Sequence, residues 1–586
     1  MANECDYDAV VIGSGFGGAV TAYRLAAAQY TVLVLERGHR WGPNKGRRDE
    51  VDPTGAYRDD EVVNFPRTAK DAWFWDHKHP EQSHGWLDFR NFPYMGVILG
   101  SGVGGGSLIY ANVSIEADEK SFDRGWPAGI TLEALKPYYD KVTKMLELDK
   151  VPPQQWSERV KLMSEGAKNN GREKRFQPVD VAVRFDYDLT YESSQRPDPR
   201  WSRRGQNKSG AWQGTCAQLG NCDIGCDVGA KNTLDKNYLF LAEQKHGAKI
   251  WPRRLVRCIT PEGKGYRVHF DEIVDGGFKS GSVSGRLVIV AAGSLGSTEL
   301  LLRCKEQYRT LPNVSDFLGE GWSSNGDFLT PAFHFFRKTL YPGRGITIAG
   351  SINFLDGHPD DLKEPYEKRR KFIIEEGGFP YQAVGGIIGA LIRNRGLKVG
   401  LPHKLLHALG RLVAAAYDAL HWISRLPFLK FLKPVFEWLD PVNHVMPWFS
   451  QGKDAANGRL SLKDNELHLE WPWPTSKDVI EAIYGTHRKL AYSTKGWVVM
   501  PPPITWTVFH SLITPHPLGG CNMGSDRTTG VVNHKGEVFE YDRLYVADGA
   551  IVPEALGLNP SKTIAALAER IAENIIADHP LSALRG

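Results

Sequence analysis

The chain has 586 residues, 41% hydrophobic and 24% charged, enough for one large or two intergrown domains with sizeable cores. Its 72 basic and 68 acidic residues leave a formal net charge of +4, so no basic footprint points to DNA or RNA as a main partner. No run of about 18 apolar residues suggests a transmembrane helix, and the start MANECDYDAVVIG has acidic residues where a leader would be basic. Seven cysteines, an odd number, suit a reduced setting with at least one free thiol, and a cytoplasmic location is expected.

The first forty residues read as a βαβ unit. YDAVVIG is a buried strand, GSGFGG a turn, Ala19 to Ala28 a helix, and TVLVLE a second buried strand. Gly13 permits the tight turn, Gly15 lets backbone approach a pyrophosphate, and Gly18 allows helix to pack on strand. Glu36 ends the second strand about 20 residues on, where a carboxylate accepts hydrogen bonds from ribose hydroxyls. A second glycine-rich stretch, GSGVGGGSLIYANVS at Gly100 to Ser114, is expected to sit too far from the first to serve the same phosphates. Its glycines suit backbone lying against a flat ring such as an isoalloxazine, or else a crowded turn. Cys216, Cys222 and Cys226 lack the two-residue spacing and fourth ligand of usual metal sites, so no metal is expected. RRLVRC at Arg253 to Cys258 places Val256 beside an adenine, and RLVIVAAGSLGSTELLLR reads as a buried strand, a small-residue turn and a helix start.

In the middle of the chain, PAFHFFRKTL, GITIAGSINF and YQAVGGIIGALI suggest an antiparallel sheet. In FIIEEGGFP, Glu375 and Glu376 cannot share one strand face, so at most one points into a pocket; the alternative is a strand end with two solvated acids. Across 401–439, Leu405, Leu409, Leu412, Ala416, Leu420 and Ile423 recur at helical spacing beside Lys404, Arg411 and Arg425. Two readings stand side by side: an amphipathic helix on an anionic membrane, or one packed on the protein itself or another subunit. RWGPNKG and MPPPITW are expected to mark crossings between two parts of the molecule.

Taken together, GSGFGG, GVGGGSLIYAN, VIVAAGSLGSTELLL, HPLGGC and DGAIVPEALGLNPSKTIAALAER resemble, in order and spacing, the glucose-methanol-choline (GMC) oxidoreductases. The segment CAQLGNCDIGCDVGAKNTLDKNYL and the GLNPSKTIAALAER ending are most similar to the cholesterol-oxidase-like branch. The resemblance implies an α/β FAD-binding Rossmann-like domain interleaved with an α+β substrate cap domain built on an antiparallel sheet. The first would comprise 1–45, 90–115, 210–305 and 506–586, the second 46–89, 116–209 and 306–505.

It also implies FAD-dependent oxidation of a bulky hydrophobic alcohol, sterols leading, by proton removal and hydride transfer to flavin N5. A flavin-containing isomerase or lyase, or a dehydrogenase serving a quinone or protein acceptor, is the alternative. His516 and Asn559 match the family's histidine and asparagine: an imidazole shares a proton near neutrality, and an amide donates to an oxygen gaining negative charge. Glu375 matches a carboxylate base that burial would hold at a raised pKa. Gly104, Gly105, Ser107, Tyr110, Ala111 and Asn112 fall at the flavin ring, and Asp548, Gly549 and Pro560 fall near its ribityl and pyrophosphate side. Tyr110 and Ala111 depart from the Asn and Gly that the branch prefers. Ile109 stands where some members carry a flavin-linking histidine, so non-covalent FAD is expected.

Overall fold

The computed structural model describes residues 5–42, 62–65, 73–122, 124–192, 197–335, 337–381, 412, 433–498 and 512–585. Most of 401–439, nearly all of YQAVGGIIGALI, most of RWGPNKG and all of MPPPITW lie outside them.

Three apolar runs without polar interruption build the first sheet. Strand β1 (Tyr7–Ile12) is followed by helix α1 (Phe16–Ala27), three residues earlier than its apolar pattern suggests, and by strand β2 (Val32–Leu35). The second half of the long strand Gly277–Val290 runs parallel to β1 on one side and to Leu544–Val546 on the other. These strands are buried on both faces, which is why they read as continuous Val, Leu and Ile. Helix α1 packs against Ser561–Asp578, so the last long helix of the chain covers the first. The remaining strands, Lys249–Trp251, Arg254–Glu262 and Gly265–Val274, complete a seven-stranded sheet.

The second large sheet has six strands, in the order Trp497–Val498, Phe328–Phe333, Val445–Gly452, Phe372–Glu376, Gly350–Asn353 and Phe176–Pro178, every neighbour antiparallel. PAFHFFRKTL supplies only the end of Phe328–Phe333, GITIAGSINF is strand only over Gly350–Asn353, and Val445–Gly452 is a central strand that the sequence pattern did not single out. Phe372 and Ile374 face a core shared with Leu162, Met163, Ile480 and Ile483 of the helices Glu158–Asn169 and Lys477–Ser493. Ile373 belongs instead to the core around the first sheet. The strand is therefore a wall between two cores, and its side chains alternate between them.

A small third sheet aligns two functional turns. Leu512–Thr514 pairs in parallel with Met95–Gly100, in register Leu512 with Met95 and Thr514 with Val97. The glycine-rich turn after Gly100 and the His516 turn therefore leave the same end of one sheet. Among the described residues no helix is long and apolar enough to cross a membrane. Within 401–439 the described helix Lys433–Leu439 exposes Val435, Trp438 and Leu439.

The contact between the chain's two ends is tight. A Cβ placed on Gly17 would lie 1.7 Å from the Ala547 carbonyl oxygen, whereas one on Gly15 meets no atom within 4 Å. Gly17→Ala is therefore expected to destabilise the apoprotein by about 1–3 kcal/mol, and Gly15→Ala to change it by less than about 0.5 kcal/mol. Thermal melts of the two apo variants check this; equal stability would contradict the packing.

Candidate active site

The first glycine turn and the second are one structure. Gly13 takes φ +97° with its Cβ direction blocked at 2.3 Å by the Ala291 carbonyl oxygen, and a Cβ on Gly18 would lie 2.0 Å from the Gly13 oxygen. Only glycine fits either position. The expected separation of the two glycine stretches is wrong: a Cβ on Gly105 would stand 2.6 Å from Gly15 Cα, and Gly104 N–H donates to Ser14 Oγ at 3.1 Å. Distance along the chain misled because the third sheet carries the second turn back onto the first.

Glu36 ties this junction. Its Oε2 accepts from Ser14 N–H (3.1 Å) and Ser14 Oγ–H (2.6 Å), and its Oε1 from Gly38 N–H (3.0 Å) and Gly102 N–H (3.2 Å). Burial raises the pKa of this carboxyl although those donors oppose it. In this geometry Glu36 joins the two turns, a duty its position in the motif did not reveal. Val256 lies two residues beyond Arg254, whose N–H donates to the Glu36 carbonyl at 2.7 Å.

Around the second turn, Ser107 Oγ donates to the Gly104 carbonyl (2.7 Å) and accepts from Leu234 N–H (3.1 Å). Tyr110 directs its hydroxyl to the Asn232 carbonyl (3.1 Å), with its ring edge-on to Phe16, and Ala111 packs into a small core with Val113 and Val181. Asn112 takes φ +71° and is wholly buried. Its amide N and O have no hydrogen-bond partner among the described residues, nor do Ser101 Oγ and Ser114 Oγ. Buried polar groups normally find partners. Together with the open space beside Gly15 and Gly106, these atoms fit a groove that takes a dinucleotide carrying a flat polar ring.

The two C-terminal motifs lie side by side. Gly519 N–H donates to the Gly549 carbonyl, Cys521 N–H to Ala550 and Met523 N–H to Ile551, each at 2.9 Å. Asp548 caps the turn Gly549–Ile551 through Ala550 N–H (2.8 Å) and also accepts from Gly293 N–H (2.7 Å) and Ser297 Oγ (2.5 Å). Pro560 caps the helix Ser561–Asp578 immediately after Asn559.

His516, Glu375 and Asn559, separated in sequence, converge. Asn559 Nδ2 lies 3.4 Å from Glu375 Oε2, and Gln451 Nε2 donates to the same oxygen at 3.1 Å. Glu375 and Glu376 are both fully buried, which removes the alternative of two solvated acids. They face opposite ways: Glu376 accepts from Ala349 N–H (2.6 Å) and Gly350 N–H (2.9 Å) on the other side of the strand. Burial pushes Glu375 up to about 7, with Gln451, the His516 charge and Asn559 opposing.

His516 Nδ1 lies 2.9 and 3.1 Å from the two oxygens of Asp327, and Phe449 stands 6.1 Å from the imidazole, centroid to centroid. Burial disfavours the imidazolium, but Asp327 more than offsets this and holds the His516 pKa above its ordinary value.

Asp327 and Gln451 are site residues that the sequence pattern missed. Each sits in a middle-chain strand or its approach, and neither belongs to a glycine-rich or His/Asn motif. Cys216, Cys222 and Cys226 are free thiols. Among the described residues, the one group of three metal-capable side chains with ligand atoms within 4.8 Å is Glu537, Asp542 and His579.

Comparison with known proteins places this geometry. The family model described as GMC oxidoreductase matches residues 506–568, and that of an NAD(P)-binding Rossmann-like domain matches 11–62. The chain is 31% identical to a cholesterol oxidase of Acinetobacter baumannii, over 99% of this chain and 96% of that one. It is 29% identical to a cholesterol oxidase of Mycobacterium tuberculosis, over 97% and 90%. Among solved structures, pyridoxine 4-oxidase from "Mesorbium loti" superposes with a TM-score of 0.58 at 14% identity, over 97% of this chain and 99% of that one, and so shares the fold. A chain with this relative along nearly its whole length belongs to the GMC oxidoreductase family, in its cholesterol-oxidase-like branch.

Proposed function

We propose that the protein oxidises a bulky hydrophobic alcohol, a sterol foremost, to the ketone or aldehyde, using non-covalently bound FAD. It is an alcohol oxidoreductase of a flavin-dependent family; the substrate class and the mode of attachment are the inferred part. The observation that carries the proposal is the meeting of His516, Glu375 and Asn559 from three distant segments.

The flavin, when bound, supplies the acceptor for the hydride that leaves the carbinol carbon. Gly13, Gly15 and Gly18 would hold its pyrophosphate, and Glu36 and Val256 the ribose and adenine end. Gly104, Gly105, Ser107, Tyr110, Ala111 and Asn112 would flank the ring, and Asp548, Gly549 and Pro560 the ribityl side. Ile109 in place of a histidine, with no other histidine between 100 and 114, supports non-covalent attachment.

His516 takes the hydroxyl proton, and the Asn559 amide donates to the oxygen as it gains charge. Glu375, with a pKa pushed up to about 7, holds and releases a second proton near neutrality. Phe449, directly across the strand pair from Glu375 and beside Leu329 in the register, gives this side of the site an apolar wall suited to an oily substrate. Peripheral contact with a membrane through 401–439 suits the same substrate, and the exposure of Val435 and Leu439 supports it.

Adding a 3β-hydroxysterol to the purified protein without oxygen is expected to bleach its oxidised-flavin band, and admitting air to restore it with formation of hydrogen peroxide. A yellow protein that no alcohol bleaches would overturn the proposal. His516→Ala is expected to slow flavin reduction at least about tenfold, measured by stopped-flow absorbance.

Glu375 also links stability to pH. Its folded pKa of about 7 exceeds the ordinary 4.5, so the folded state holds the extra proton between those values. Its stability contribution is fully present below 4.5 and is lost as pH rises to about 7. Glu375→Gln is therefore expected to gain on the wild type between pH 5 and pH 8, by on the order of 1–3 kcal/mol in apoprotein melts. Parallel curves would return the carboxyl to an ordinary pKa.

A further inference from the structure

We propose that Asp327 is a positioning residue that fixes the tautomer of His516 and strengthens it as a base, so that His516 Nε2 receives the alcohol proton. The proposal rests on the alcohol-oxidation reading of the site.

Both the backbone and the ring of one histidine are held in a closed circuit. His516 N–H donates to Thr514 Oγ1 at 2.9 Å, Thr514 Oγ1 lies 2.6 Å from Asp327 Oδ2, and the Asp327 carboxylate receives His516 Nδ1. The Thr514 hydroxyl has a single hydrogen, and the Ser324 carbonyl lies farther from it, at 2.9 Å. The short contact to the carboxylate is the charge-assisted one. A carboxylate only accepts, so the neutral imidazole must carry its hydrogen on Nδ1 and its lone pair on Nε2.

Asp327 is fully buried, while the His516 side chain keeps 17% of its surface exposed. The anion is thus held inside, while part of the imidazole side chain stays accessible.

The other charged groups around the pair come from different elements. Glu375 faces His516 from the cap strand, and Asp454 faces Asp327 from the turn after Val445–Gly452. Asp454 is itself occupied by Ser323 Oγ (2.7 Å), Ser324 N–H (2.9 Å) and Ser324 Oγ (2.8 Å). Asp327 is the anion in direct contact with the ring.

The step balances. The alcohol O–H bond breaks, its proton forming N–H on Nε2 and its electron pair closing the C=O bond, while the carbinol hydrogen would leave with its bonding pair, as hydride, to the oxidised flavin that the site would hold. Burial raises the Asp327 pKa, the His516 charge and the His516 and Thr514 hydrogen bonds oppose it, and as the ring takes the proton the carboxylate stabilises the imidazolium.

The test is Asp327→Asn, which keeps an acceptor for Nδ1–H and removes the charge. Its flavin spectrum should match the wild type. The acid limb of the anaerobic flavin-reduction rate should move to lower pH by about one unit or more, with the plateau rate at least about tenfold lower. Thr514→Val, which leaves the charge in place, should keep the limb at its wild-type pH. An unmoved limb in Asp327→Asn, or a limb that moves by about one unit or more in Thr514→Val, overturns the proposal; the second outcome decides it even where Asp327→Asn does not fold.

Apoprotein melts supply a readout independent of turnover. A histidine with a raised folded pKa contributes stability below its ordinary pKa and loses it as pH rises through the folded one. Asp327→Asn should therefore lower Tm more at pH 6 than at pH 9, and this difference should shrink in a His516→Asn background, where only the buried Asp327 carboxyl, its own pKa raised by burial, is left to titrate. An equal loss of Tm at the two pH values in Asp327→Asn, or an undiminished difference in the His516→Asn background, would also overturn the proposal. If no alcohol bleaches the wild type, the proposed function fails, while the melts still decide the Asp327–His516 coupling.

Discussion

Five residues, Ser323 to Asp327, hold both halves of the chemistry. Ser323 exchanges backbone hydrogen bonds with Leu518, just beyond His516. Asn325 accepts from Gly557 N–H at 2.9 Å and donates to the Leu558 carbonyl at 2.8 Å, directly before Asn559. Asp327 takes His516 itself. One short turn, entering a cap strand, thus sets the spacing of a histidine and an asparagine carried by two different loops. The Asn325 contacts are buried and the His516 contact partly so, and leaving a buried partner unmatched costs about 1–3 kcal/mol. The turn therefore has little freedom to shift without disturbing both residues.

The strand Phe372–Glu376 imposes the second constraint. Alternation sends Glu375 to the site and Glu376 to the far side, so two adjacent acids live in separate environments. Burial pushes Glu376 up to about 8, against the opposing charge of Arg159. Arg159 is fully buried and spends its guanidinium on backbone carbonyls, those of Arg344 at 2.8 Å and Ile346 at 2.6 Å among them. It braces the chain leading into Gly350–Asn353, the strand that flanks Glu375. A charge buried this deeply is tolerated because several acceptors surround it.

Much of the cofactor side was legible in the residues. Gly13, Gly15, Gly18 and Glu36 sit in one local βαβ unit, and HPLGGC and DGAIVP carry their own turn chemistry. Local geometry of that kind is written in short spans of sequence. What escaped notice depended on tertiary pairing. The parallel register of Leu512–Thr514 with Met95–Gly100 brings the second glycine turn to the first, and no spacing records it. Asp327 ends a polar Ser-Ser-Asn-Gly turn and Gln451 lies near the end of a strand, places where a single Asp or Gln carries no signature. The acids at 375 and 376 looked compatible with a wet strand end because exposure is decided by the cores packed on either side.

The closure of the first sheet also fixes when the protein is able to fold. Strand β1 pairs with a strand completed only at Val290, and that strand in turn with Leu544–Val546. Arg585 reaches back to Asp8 at 2.5 Å, and the Ala547 carbonyl seals Gly17. During synthesis, the N-terminal βαβ unit leaves the ribosome hundreds of residues before its outer partners exist. Its buried Val and Leu faces must wait for them, because contacts so distant along the chain form late and slowly. A nascent chain stalled short of residue 546 lacks the strand that pairs with Val288–Val290, so its first sheet is unfinished.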